Sequence, residues 1–106
     1  MDKYKKGTGD KNLYILKKSP VKGKRFRIIM DDHYHDFGSE GGKTFIDGRT
    51  EKEKDAWISR HKNDKNYNSK HSGIYHSRKL LWEEPTLKQS IKKYEKEHSV
   101  KLKLET

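Results

Sequence analysis

The scarcity of aliphatic side chains constrains this chain more than any other feature. Leu, Ile, Val and Phe together make up 19 of the 106 residues, whereas 40% of the residues are charged. An aliphatic content below about 20% makes disorder an alternative to folding. Eleven aromatic residues act against disorder, because each can bury about 150–250 Å². We therefore expect one domain with a thin, aromatic-rich core, since the chain is too short for two sizeable cores.

Three short segments predict β-strands. They are the apolar residues 13–16, residues 25–30 and residues 34–37. In the second segment, apolar residues alternate with Arg25 and Arg27, so that the two arginines face away from the core. Turn-forming residues separate the segments, which predicts a three-stranded antiparallel meander.

Helix signals occur in the second half of the chain. Thr50 and Thr86 each precede a Glu or Gln by three residues, the spacing of a capping box that satisfies free amides of a first helical turn. They predict one helix from residue 51 to between residues 62 and 68, and another from residue 87 to about residue 97. Apolar residues at helical spacing predict a further helix over residues 73–82.

The expected fold class is therefore α+β, with a small antiparallel three-stranded meander followed by two or three helices. Residues 1–11 mix Gly and Lys without periodicity, which predicts a flexible basic arm, and residues 12–98 form the domain. The tail, residues 99–106, alternates Lys with apolar residues and is either a further strand or frayed. A short extended segment is expected at residues 44–46.

The net charge of +10 is concentrated in two blocks. Residues 1–30 carry +8 and residues 59–80 carry +5, whereas residues 31–58 between them carry −4. A polarised surface of this kind is typical of proteins that bind a phosphate backbone or lie between acidic proteins. The alternative is that the charge serves solubility alone.

Several classes of site find no support in the sequence. The chain has no Cys, which excludes disulfides and Cys-ligated zinc. No segment approaches the roughly 20 apolar residues of a membrane span, so we expect an intracellular protein with no membrane partner. The glycine-rich residues 38–43 lack the Gly-Lys-Ser/Thr ending of a nucleotide-binding loop. We expect no catalytic residue and no cofactor.

The histidines could in principle hold a metal or cut nucleic acid. His33 and His35 lie among three aspartates, which are ligand types for divalent cations, and they share one face of the predicted strand. No further ligand pair follows at metal-binding spacing, so we interpret this region as a polar hairpin tip and expect no metal site. His61, His71 and His76 show no orienting carboxylate of the kind that a nuclease needs.

The remaining pattern is basic side chains interleaved with aromatic ones. Lys and Arg neutralise phosphates, and Tyr stacks on bases or sugars. Three antiparallel strands backed by a helix can lie in the major groove of DNA. For Arg78 and Trp82 the alternative is a cation over an aromatic ring at the edge of the core. The predicted phosphate contacts are Lys24, Arg25, Arg27, Arg60, Lys62, Lys65, Arg78 and Lys79.

Four segments carry a family resemblance. They are residues 19–28 (SPVKGKRFRI), 35–38 (HDFG), 59–61 (SRH) and 75–87 (YHSRKLLWEEPTL). Together they resemble a small uncharacterised family carried by nucleocytoplasmic large DNA viruses, the giant viruses. The resemblance covers roughly residues 13–95, and Lys79 stands where that family has an aromatic residue.

The resemblance implies a viral origin and no settled activity. Our first hypothesis is a non-enzymatic nucleic-acid-binding protein with DNA rather than RNA as its partner. The second is a virion structural component, a minor capsid or cementing protein that lies between acidic capsid proteins. Either would act in the cytoplasm or nucleus of an infected host cell, or in the virion. The sequence does not predict the oligomeric state.

Overall fold

The computed structural model describes residues 7–105, which form an α+β arrangement. The strands are β1 (Leu13–Lys18), β2 (Lys24–Ile29), β3 (Tyr34–Ser39) and β4 (Lys101–Glu105). The helices are α1 (Glu51–His61), α2 (Gly73–Ser77) and α3 (Leu87–His98), with a 3-10 turn at Phe45–Asp47 and a π-helical turn at Arg78–Trp82. The predicted α+β class is confirmed. None of the helices within the described range is long and apolar enough to cross a membrane.

The sheet has the strand order β3-β2-β1-β4. β1 and β3 flank β2 in antiparallel fashion, as the predicted meander requires. β4 pairs with β1 in parallel, with Leu102 opposite Tyr14, so the sheet is four-stranded and mixed rather than a three-stranded antiparallel meander. The parallel pairing is possible because α3 forms part of the long connection that such a pair needs. Leu102 is 4% exposed, and its burial fixes the tail as a strand.

The core lies between one face of the sheet and the helices. Alternation along the strands places Leu16, Ile28 and Phe37 in this core, and each is at most 1% exposed. On the helical side, the rings of Trp57 and Trp82 stack with their centroids 5.4 Å apart. The core is therefore thin and aromatic, as the composition predicts.

The helix boundaries follow the predicted caps. The hydroxyl of Thr50 accepts a hydrogen bond from the amide of Glu53 at 3.1 Å, and the Glu53 carboxylate accepts one from the amide of Thr50 at 3.0 Å. Thr86 accepts from the amide of Gln89 in the same way. The helix predicted over residues 73–82 instead changes to a π-helical turn at Arg78. This turn places three consecutive buried side chains, Leu80, Leu81 and Trp82, against the core.

Two further segments differ from the sequence prediction. Residues 45–47 form a 3-10 turn rather than an extended segment, because the Asp47 carboxylate accepts hydrogen bonds from both the amide and the hydroxyl of Thr44. Part of the predicted arm lies against the domain, since the amide of Thr8 donates to the carbonyl of Met30 at 2.7 Å. Residues 1–6 of that arm lie outside the described residues.

Candidate nucleic-acid interface

Arg25 and Arg27 both lie on β2, and each is paired with an aspartate. The guanidinium of Arg25 donates to both oxygens of Asp47, at 2.6 and 2.8 Å. Arg27 donates to both oxygens of Asp36, at 2.9 and 3.1 Å, and lies over the ring of Tyr34. Bidentate pairs of this type hold both charges in fixed geometry. These two arginines are therefore largely neutralised before any phosphate approaches.

Arg78 and Lys79 are also engaged within the fold. Both side chains are 13% exposed and lie within 3.5 Å of the Glu83 carboxylate, and Lys79 also lies 3.2 Å from Glu97. The guanidinium of Arg78 sits 4.1 Å from the centroid of the Tyr67 ring. Arg78 is thus a cation over an aromatic ring at the edge of the core, but the ring is that of Tyr67 and not that of Trp82.

The other four predicted contacts are exposed. Lys24, Arg60, Lys62 and Lys65 have no ion pair within residues 7–105. Lys24 and Arg60 line neighbouring depressions of the surface, whereas Lys62 and Lys65 lie in the connection between α1 and α2, away from those depressions. The structure thus divides the predicted set into four neutralised and four available cations.

Three depressions of the surface share the side chain of Lys43, and we call their combined surface the basic groove. The first, of about 720 Å³, lies beside the end of β1; the second lies over Trp57 and Trp82; the third lies along α1. Its lysines and arginines are Lys18, Lys24, Arg25, Lys43, Arg49 and Arg60. Arg25 and Arg49 are paired with carboxylates of the groove, which leaves four cations against Glu40 and Glu105.

The fold forms this groove where β3 ends against the π-helical turn. Gly38 has φ +77°, and a Cβ at this position would lie 3.0 Å from the Leu81 side chain and 3.1 Å from the Cβ of Arg25. Only glycine combines this backbone conformation with so close an approach. The chain then continues to Lys43, which reaches the surface beside Trp82. Sequence reasoning missed Lys43 because it lies in the acidic block of residues 31–58.

Asp47, in the 3-10 turn beside the groove, is hydrogen-bonded to Arg25 of the sheet. The hydrogen bonds from Arg25, assisted by those from Thr44, lower the pKa of Asp47 from 3.8 to about 2, against the opposing effect of burial. Because the carboxylate is bound in the folded state, its contribution to stability is present above the unfolded pKa and is lost as the pH falls towards the folded pKa. The Arg25–Asp47 pair therefore acts in the structure rather than as a free phosphate ligand.

Replacing Asp47 by Asn should reveal how the contribution of this carboxylate to stability depends on pH. We expect Asp47→Asn to unfold at lower urea concentration than the wild type at about pH 6, and the difference to shrink as the pH is lowered below about 4. Asp55→Asn, which changes an exposed carboxylate on α1, is the matched control and should change stability little at any pH. A difference for Asp47→Asn that stays constant between about pH 6 and pH 3 would contradict the assignment.

The hairpin histidines are not isolated at a polar tip. His71, from the connection before α2, brings a third imidazole to His33 and His35, and ligand atoms of the three rings lie within 4.8 Å of one another. Spacing along the sequence did not predict this third ligand, because His71 lies 36 residues after His35. Partial burial, together with the neighbouring His33 and His71, holds the pKa of His35 below its usual range. Burial lowers the pKa of the adjacent His76 to about 3, so that this ring is neutral at physiological pH.

Part of the chain matches a known protein family. Residues 14–61, which run from β1 to the end of α1, match a family described as a family of unknown function (DUF5754). Neither the curated proteins nor the solved structures contain a match to this chain. The matched region includes most of the sheet, Lys43 and the α1 wall of the basic groove. Across that region, the chain is similar to an uncharacterised protein family.

Proposed function

We propose that this protein is a non-enzymatic nucleic-acid-binding protein that holds a phosphate backbone along the basic groove. The observation that carries the proposal is the set of exposed cations around Lys43. Lys18, Lys24, Lys43 and Arg60 line adjoining depressions, and none of them has an ion pair among the described residues. A cation without an internal ion pair contributes most to the free energy of phosphate binding, because no existing pair must be broken first.

The groove supports this function better than the helix-free face of the sheet. On that face, Arg27 is already held by Asp36. In the groove, Lys43 and Arg60 lie beside Trp82, which is 9% exposed, and neither cation has an ion pair among the described residues. A groove of free cations that follows the backbone binds nucleic acid with little sequence preference. We propose DNA as the partner in preference to RNA.

The resemblance to a family of giant viruses extends the proposal to the biological setting. In a virus with a large DNA genome, a small basic protein can serve by coating or binding the DNA. We propose that the protein acts in the infected host cell, in the cytoplasm or the nucleus, or within the virion. The match of residues 14–61 to a family of unknown function supports membership of an uncharacterised family.

A role as a virion structural component is the second candidate, and the free side of β4 favours it. β4 is an edge strand of the sheet, and edge strands offer unpaired backbone groups to other chains. Next to it lies an apolar depression formed by Leu87, Ile91 and Leu104, and Leu104 is 41% exposed. A capsid protein could pair with this edge. Such a protein would copurify with particles and bind DNA weakly.

Charge reversal at the centre of the groove tests the proposed function. Lys43→Glu should weaken binding to a labelled DNA duplex by about tenfold or more, because one phosphate contact is replaced by repulsion. Lys88→Glu makes the same change in net charge on the exposed first turn of α3, outside the groove, where an acidic residue suits the helix dipole. The control should bind within about twofold of the wild type. Equal losses in both variants would show that net charge alone drives binding.

A further inference from the structure

We infer that His33, His35 and His71 form a binding site for a divalent transition-metal ion of the Zn²⁺ class. One ligand atom from each ring lies within 4.8 Å of those of the other two. In tetrahedral zinc sites, nitrogen ligands at 2.0–2.1 Å from the metal lie about 3.3 Å from one another. The three rings therefore stand close to the required arrangement. The Nδ1 atom of His71 lies closer to the Nε2 atom of His33 than two ligands of one ion do, and because His71 is exposed its side chain can move outward to make room for the ion.

The backbone brings the three ligands together from distant parts of the chain. His33 and His35 point to the same side at the start of β3, with ring centroids 5.0 Å apart. Gly73 packs so closely on β3 that a Cβ there would lie 3.1 Å from the carbonyl oxygen of Asp36. This close approach places His71 over the hairpin, with its ring centroid 4.3 Å from that of His33.

The segment that carries His71 is held by its own hydrogen bonds. The hydroxyl of Ser72 lies within hydrogen-bond distance of the backbone carbonyls of residues 66 and 69, to either of which it can donate, and it caps α2 by accepting from the amide of Tyr75. The amide of His71 also donates to the hydroxyl of Ser69. The third ligand is therefore presented by an ordered connection.

A carboxylate sets the orientation of the first ligand. The Nδ1 atom of His33 lies 2.6 Å from the Oδ1 atom of Asp32. A carboxylate at this position favours a proton on Nδ1, so that Nε2 is the nitrogen that can bind a metal, which is the usual arrangement of a carboxylate behind a metal-bound histidine. The Nε2 atom of His33 faces the Nδ1 atom of His71, so that two ring nitrogens point into the same space.

The second ligand has a nitrogen without a partner. The Nε2 atom of His35 is shielded from solvent and has no hydrogen-bond partner within the described residues. Buried polar atoms of this kind are uncommon in folded proteins, and a missing ion is one explanation for them. The ring of His76 stacks on that of His35, with centroids 6.1 Å apart, and the Nε2 atom of His76 lies 2.9 Å from the hydroxyl of Tyr94. His76 therefore supports His35 and is not itself available as a ligand.

The ligand set indicates the class of metal. Three neutral imidazoles suit Zn²⁺, Cu²⁺ or Ni²⁺ far better than Mg²⁺ or Ca²⁺, which prefer oxygen ligands. Three protein ligands also leave at least one coordination position for water or an anionic group. The site joins the β2–β3 hairpin to the connection before α2, so that a bound ion would cross-link the sheet to the helical layer.

A competition experiment with Zn²⁺ and a coloured chelator tests the site. The untagged full-length chain should withdraw one equivalent of Zn²⁺ from the chelator, and Co²⁺ in its place should give visible absorption bands of a nitrogen-ligated ion of low coordination number. His71→Gln should lower the Zn²⁺ affinity at least tenfold, and Asp32→Asn about 10–100-fold. His61→Gln removes a histidine outside the cluster and should bind as the wild type does.

Circular dichroism of each variant separates loss of the site from loss of the fold. His71→Gln and Asp32→Asn change exposed residues and should keep the wild-type spectrum. A wild-type chain that withdraws no Zn²⁺ from the chelator would overturn the inference. It would equally be overturned if a folded His71→Gln variant bound Zn²⁺ as tightly as the wild type.

Discussion

Replacing Trp82 by Ala should lower the free energy of unfolding by about 3–5 kcal/mol, the range found when large buried aromatic side chains are truncated. Trp82 is 9% exposed and stacks on Trp57 with an interplanar angle of 14°. Its truncation would leave a cavity beneath the basic groove and remove the surface against which α1 packs. In a core this thin, few neighbouring side chains can move in to fill that space.

Urea denaturation of matched variants measures this effect. Leu104→Ala, which truncates an apolar side chain that is 41% exposed, should cost only about 0.5 kcal/mol. Trp82→Phe keeps part of the ring contact and should fall between the two. If Trp82→Ala were as stable as the wild type, Trp82 would be a contact surface for a partner and not part of the core.

Local hydrogen-bond chemistry made several elements predictable from the sequence. The caps at Thr50 and Thr86 involve groups three residues apart, so the sequence contains all of the relevant chemistry. Alternation likewise predicts which face of β2 is buried, as Ile28 shows. The extended segment predicted at residues 44–46 was wrong, because residue propensities for strand do not show that the Asp47 carboxylate accepts a hydrogen bond from the amide of Thr44.

Pairings between distant residues could not be predicted in this way. β4 pairs with β1 although more than eighty residues separate them in the chain. The alternating tail is compatible with a strand, but the alternation does not show which strand it pairs with. The same limit applies to the predicted phosphate contacts. Charge and spacing identify Arg25 as a cation, but its neutralisation by Asp47, 22 residues later, follows only from the fold.

The candidate sites show this limit most clearly. Lys43 lies in the basic groove because it lines all three depressions that form it. His71 lies next to His33 and His35 because α2 packs on β3 at Gly73. In both cases the residue types were visible in the sequence, and only the tertiary packing gave them neighbours.

Binding to duplex DNA should depend steeply on salt if the groove holds a phosphate backbone. Each phosphate contact releases condensed counterions, so that the logarithm of affinity falls with the logarithm of salt with a slope of about −0.9 per contact. The available groove cations are Lys18, Lys24, Lys43 and Arg60. If all four make contact, a rise from about 50 to about 200 mM salt should lower the affinity about hundredfold.

Fluorescence anisotropy of a labelled DNA duplex, titrated with the protein at these two salt concentrations, measures whether phosphate contacts hold nucleic acid. We expect binding at the lower concentration and a loss of about two orders of magnitude in affinity at the higher one. No binding at the lower concentration would rule out the proposed nucleic-acid binding and favour the structural role at the β4 edge.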